Sequence, residues 1–140
     1  ELKGTARTMR AEVQDFVEAA IARIATQTAE AHDAVAEVTY TRGYPPTINH
    51  AEQTERAAAV LAEILGEKGV RRDHPPSMGG EDFSFMLNER PGAFLLLGQR
   101  APDGRGGVPV HHPRYDFNDA LLPIGAAFFV RMVERELPRR

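Results

Sequence analysis

The sequence predicts an α/β fold on three observations. Residues 1–42 run strand-like, helix-like and strand-like in turn; residues 93–98, AFLLLG, form a continuous apolar run; and helical stripes recur at residues 51–66 and 119–137. A short run apolar on both faces is the pattern of a strand covered on both sides, as in a sheet flanked by helices.

Residues 2–9 alternate, with Thr5 and Thr8 adding β-branched weight, and are predicted as a strand. From Ala11 to about His32, Val13, Phe16, Val17, Ala20, Ile21 and Ile24 draw one stripe of an amphipathic helix. Residues 34–42, AVAEVTYTR, are strand-like again through Val35, Val38 and Tyr40. Gly43, Tyr44, Pro45 and Pro46 then break the pattern. Each proline biases its predecessor to an extended shape, so this stretch reads as a stiff connector.

A second helix is predicted over residues 51–66, with Ala57, Leu61, Ile64 and Leu65 on one face and Gly66 and Gly69 as terminators. Residues 74–80 read as a loop, 81–88 as a short helix, 93–98 as the strand and 99–109 as a surface loop rich in glycine and proline. The last helix spans about 119–137, its stripe carrying Ile124, Phe128, Met132 and Val133. Asn118 or Asp119 can cap it, and Pro123 in its first turn costs little. The organisation expected is two α/β pieces, residues 1–42 and 43–140, joined at the connector.

Composition excludes several classes. One hundred and forty residues make about one average domain. A net charge of -3 and a pI near 6.0, with the signs interspersed, give no basic face, so a nucleic-acid partner is not expected. Zero cysteines remove disulfides, thiolate zinc sites and cysteine nucleophiles, and fit a reducing compartment, so a cytoplasmic location is expected. No apolar run approaches the roughly 20 residues that span a bilayer, so no membrane is expected. The chain opens ELKGTARTM, with no initiator Met and inside a strand-like stretch, which suggests a segment of a longer protein.

Three stretches could carry chemistry. VHHPRYDFND at 110–119 holds adjacent histidines, His111 and His112. A lone histidine is more often a surface or hydrogen-bonded residue than a ligand, and zinc-type sites need three or four ligands. The five histidines (His32, His50, His74, His111, His112) form no HxH or HExxH arrangement. On an extended segment His111 and His112 would point oppositely, so at most one faces a given metal.

PPSMGGEDFSFM at 75–86 places Gly79 and Gly80 before a short helix, where backbone N–H groups could meet a carboxylate or oxyanion. It also reads as a tight loop capped by Asp82 or Ser84, with Glu81 available to support a metal-bound histidine. Arg7, in GTART, can snorkel to solvent or clamp a carboxylate. Taken singly, each stretch favours its structural reading.

Taken together they resemble one family. GTARTM, RGYPPTIN, PPSMGGEDFSFML, GAFLLLG and VHHPRYDFNDALLPIGAAFF are similar, in order, to the C-terminal part of bacterial and plant amidohydrolases. These are the hippurate hydrolases, N-acyl-amino-acid amidohydrolases and indole-acetyl-amino-acid hydrolases of the aminoacylase and glutamate-carboxypeptidase superfamily of metallopeptidases. The resemblance covers essentially the whole chain.

It implies a two-metal aminopeptidase-like α/β catalytic domain interrupted by a ferredoxin-like α+β lid that serves dimerisation. Residues 1–42 then correspond to the second half of the lid, and residues 43–140 to the C-terminal part of the catalytic domain. His111 falls on the family's metal-ligating histidine and His112 on a variable position. Asp116 or Asp119 could support His111. Gly79 and Gly80 match a backbone segment near the substrate, and Arg7 matches a lid arginine that reaches the substrate's carboxylate.

The implied reaction is metal-assisted hydrolysis of a small N-acyl amino acid of the hippurate kind, with two divalent cations (zinc, manganese, cobalt or nickel), in a homodimer formed through the lid. The other metal ligands and the general base fall upstream of this sequence in the family. No catalytic residue is therefore expected here, and the free chain should bind no metal and be inert. Two other expectations compete: a non-catalytic assembly module pairing by strand addition, and a carboxylate sensor using Gly79, Gly80 and Arg7.

Overall fold

A computed structural model describes residues 1–137. Its regular elements are α1 (Ala11–Glu30), α2 (Ala51–Leu65), a 3-10 turn (Glu67–Gly69), α3 (Phe83–Glu89), a second 3-10 turn (Asp119–Leu121) and α4 (Leu122–Glu136). The chain divides into two compact units. The first comprises Glu1–Ile48 and Pro75–Pro91, the second Asn49–His74 and the chain from Gly92 onward.

In the first unit, α1 forms where its stripe predicts, yet none of its residues is buried. Phe16 is 71% exposed and Ile24 54%. The helix closes through a turn in which Ala34 N donates to Ala29 O at 2.9 Å, with Asp33 at φ +52, a conformation aspartate tolerates. Arg42 pairs with Asp15 at 2.7 Å and also with Glu18, tying the segment after α1 back to the helix. These pairs are exposed and worth little individually. Burial in this unit centres on α3, where Ser84 is fully buried and Leu87 is 4% exposed.

The second unit is built on α2 and α4. Ala57, Ala58, Val60 and Leu61 are buried on α2, which packs against α4. Exposed pairs join the last turn of α4 to the same helix, Arg56 to Glu136 at 2.9 Å and Arg135 to Glu63 at 3.2 Å. Gly66 ends α2 at φ +75, the terminator role its position predicts. Asn118 caps the turn before α4 by accepting from Ala120 N, and Pro123 lies in the first turn of α4. No helix among the described residues is long and apolar enough to cross a membrane.

The predicted strands are corrected. Among the described residues no strand forms, so residues 2–9, 34–42 and 93–98 are irregular and the observed fold is helical rather than α/β. Alternation specifies a face, but a strand exists only when its N–H and C=O groups pair with a neighbouring edge. Apolar residues of all three stretches are open, Leu2 at 101% exposed, Val35 at 97% and Leu96, in the run predicted to be covered on both faces, at 70%.

One local substitute for a ladder appears in the second unit. The Asn49 side chain donates to Phe94 O at 2.9 Å and accepts from Phe94 N at 2.8 Å. Beside it, His50 N donates to Gly92 O at 3.0 Å, and Gly92 N donates to His50 Nδ1 at 3.2 Å.

The loop after residue 98 is tightly folded. Ala101 N donates to Arg105 O at 2.8 Å, and Gly106 sits at φ +68, where an added Cβ would lie 2.3 Å from Gln99 O. Gly106→Ala is expected to cost roughly 1–3 kcal/mol of stability, because left-handed backbone strain and displacement of the Gln99 carbonyl act together. A urea midpoint equal to that of the native chain would refute this loop geometry.

Candidate functional site

The residues singled out from the sequence fall in both units. In the first, Glu81 organises the start of α3. Its carboxylate accepts from Phe83 N at 3.3 Å, and its carbonyl accepts from Ser84 N at 3.3 Å and from Ser84 Oγ at 2.6 Å. Phe85 N donates to Asp82 O at 3.0 Å. The N–H groups of Phe83, Ser84 and Phe85 at the helix start are thus used inside the turn, and Glu81 serves the turn itself. The Asp82 side chain caps nothing. Of the two residues expected to cap the turn, Ser84 is the one that bonds within it.

What the turn leaves open is Gly80. A Cβ there would lie 3.5 Å from ring atom Cδ2 of Tyr44 and 3.8 Å from Nη1 of Arg7. Arg7 and Gly80, distant in sequence, therefore meet. Arg10 pairs with Glu12, and Arg42 with Asp15 and Glu18, whereas Arg7 forms no ion pair among the described residues. Gly79 is exposed, with Ser77 Oγ 3.7 Å from its Cβ position.

Tyr44 was read from sequence only as part of a connector. Its ring packs edge-on to Phe85, the centroids 5.9 Å apart at 86°. An aromatic residue between a glycine and two prolines was the available signal.

In the second unit His111 and His112 lie in consecutive turns, not on an extended segment. His112 N donates to Pro109 O at 3.0 Å, and Tyr115 N to His112 O at 2.9 Å. Pro109 and Pro113 bracket the pair and favour this bend. The two side chains differ in what they touch. His112 Nδ1 accepts from Arg114 N at 3.1 Å, while the His111 imidazole is exposed and makes no hydrogen bond among the described residues.

Asn118, only 8% exposed, fastens the loop by donating to Gln99 O at 3.0 Å. Tyr115 Oη donates to Gln99 Oε1 at 3.3 Å. Leu97, Val110, Tyr115, Phe117, Leu122 and Phe129 line an open cavity of about 400 Å³, and Val110 directly precedes His111.

Among the described residues no three His, Cys, Asp or Glu side chains converge on a common point. A closed metal site needs three or four ligands, so these residues alone do not fit a two-cation centre. They contribute one exposed imidazole. Neither Asp116 nor Asp119 bonds to His111 among the described residues.

The family described as Peptidase family M20/M25/M40 matches residues 4–135. The chain is 33% identical over 121 residues to YhaA of Bacillus subtilis (strain 168), which carries an amidohydrolase's name; the match covers 86% of this chain and 30% of that protein. It is 27% identical over 136 residues to a hippurate hydrolase of Campylobacter jejuni, covering 97% of this chain and 34% of the relative. It is 33% identical over 96 residues to IAA-amino acid hydrolase ILR1-like 2 of Arabidopsis thaliana, covering 69% and 21%. The chain thus spans about a third or less of the length of these relatives. No solved structure matches it.

Proposed function

The chain belongs to peptidase family M20/M25/M40, and we propose that it is the C-terminal part of a metal-dependent amidohydrolase that cleaves N-acyl amino acids of the hippurate kind. The family generally depends on divalent metal. The observation that carries the reading is the meeting of Arg7 with Gly80. A guanidinium without a carboxylate partner stands beside a backbone position with no side chain to block approach. Arg7 would take the substrate carboxylate through paired N–H donors, with the Gly79 and Gly80 backbone alongside.

In the same proposal His111 is one ligand of a two-cation site (zinc, manganese, cobalt or nickel). The remaining ligands and the general base come from the part of the relatives' length that this chain does not span. Residues 1–42 are the second half of a lid, residues 43–140 the end of the catalytic domain. Assembly is a homodimer through the lid, and the setting is cytoplasmic.

Hydrolysis of hippurate and N-acetyl amino acids is the test, run on the 140-residue chain and on a full-length protein loaded with each metal in turn. Turnover is expected only from the full-length protein. Turnover by the short chain would overturn the division of labour, and none by the loaded full-length protein would overturn the reading. The exposed stripe of α1, with Phe16, Ile21 and Ile24, favours a second reading as an assembly module. A folded, metal-free dimer of a protein that never hydrolyses these substrates would select it.

A further inference from the structure

Arg7 and Gly80 are not alone where they meet. The Tyr44 ring is the third group at that point, its Cδ2 within 3.5 Å of the Gly80 Cβ position. Tyr44 is 56% exposed and Phe85, packed edge-on behind it, 52% exposed. Two large aromatic side chains kept half in water, beside a guanidinium with no acid partner, form a contact surface with one charged and one apolar component.

We propose that Tyr44, supported by Phe85, is a specificity-determining contact for the side chain of the N-acyl amino acid, favouring aromatic residues over glycine. The inference rests on the carboxylate role given to Arg7 above. With the carboxylate on Arg7, a ring this close meets what is attached one or two bonds away, which is the substituent on the α-carbon. Edge-to-face packing against the Tyr44–Phe85 pair rewards a flat apolar group there, and a hydrogen cannot make that contact. Gly80 matters for the same reason, because a Cβ would fill the space between ring and guanidinium. All four residues belong to one compact unit, so binding needs neither the His111 turn nor a metal.

The test is ligand-observed NMR titration of the 140-residue chain with N-acetyl-L-phenylalanine and with N-acetylglycine. The phenylalanine derivative is expected to bind about five- to tenfold more tightly. Tyr44→Ala should bring that ratio below about twofold, Tyr44→Phe should preserve it, and Arg7→Gln should weaken both ligands together. If Tyr44→Ala loses its helical circular dichroism, Tyr44→Phe against Tyr44→Leu decides instead, the ratio surviving only in the aromatic variant.

A ratio near one in the native chain, or one that survives loss of the ring, overturns the role of Tyr44. If Arg7→Gln still weakens both ligands in that case, the carboxylate reading stands. If neither ligand binds in a way that Arg7→Gln reduces, both fall.

Discussion

On the proposed function, His111→Ala in a full-length protein is expected to lower hydrolysis of N-acyl amino acids by at least about 100-fold and to remove bound metal with it, while His112→Ala stays within about twofold of the native rate. Removing only the hydrogen-bond partner of a metal-bound histidine typically costs about 10–100-fold in affinity or activity, so removing the ligand should cost no less. The two histidines are adjacent, yet their surroundings separate them. The His112 Nδ1 lone pair already accepts from Arg114 N, which gives that ring a turn-stabilising task. The His111 ring is exposed and makes no hydrogen bond among the described residues, so both of its nitrogens are open to a cation.

Metal content after dialysis and steady-state rates on the same preparations check this. Full occupancy and full rate in His111→Ala would sink the ligand assignment. A comparable loss in His112→Ala would move the role one residue along the turn.

The helices were legible because their signal is local. The stripe from Val13 to Ile24 needs nothing beyond its own spacing to select helix, and α1 appears as Ala11–Glu30. The last helix was marked by Asn118 and Pro123; Pro123 holds its expected place in the first turn, while Asn118 caps the 3-10 turn that leads into α4, whose own N-cap is Leu121. The strands were not legible in the same way. AFLLLG states that residues 93–98 can be buried on two faces, but a ladder needs a second edge, and the Phe94 backbone N–H and C=O pair with the side chain of Asn49 instead of a neighbouring strand.

Burial obeys the same limit. The α1 stripe identifies an apolar face without saying what covers it, and Phe16 stays in water.

The candidate site was legible in proportion to its motifs. Arg7, Gly80 and His111 each sit in a stretch whose residue order carries the family resemblance, but no periodicity could have brought Arg7 to Gly80. That meeting depends on how the first unit folds. Tyr44 was missed because the two prolines after it drew attention to backbone stiffness rather than to the ring. The bend at His111 was signalled by Pro109 and Pro113, and an extended reading of the segment passed over both.

Leu61→Ala should cost about 2–4 kcal/mol of unfolding free energy, a large share of what a unit this size has. The buried apolar side chains of α2 are Ala57, Ala58, Val60 and Leu61. Leucine is the largest of them, and the two alanines have no reach with which to refill the space it would leave. The pairs Arg56–Glu136 and Arg135–Glu63 cannot compensate, since both are exposed and such pairs contribute at most about 1 kcal/mol. Ile24→Ala, on the 54% exposed face of α1, should change stability by no more than about 0.5 kcal/mol.

Urea unfolding followed by circular dichroism at 222 nm (a standard helix signal) distinguishes the two variants. A loss below about 1 kcal/mol for Leu61→Ala would mean that the α2–α4 contact does not hold the second unit together. The consequence reaches the His111 turn. Asn118, which caps the 3-10 turn leading into α4, also grips Gln99 O, so the entry to α4 and closure of the loop share one residue. On the proposed function, Leu61→Ala in a full-length protein is therefore expected to lower metal occupancy as well as stability, although Leu61 carries no ligand atom.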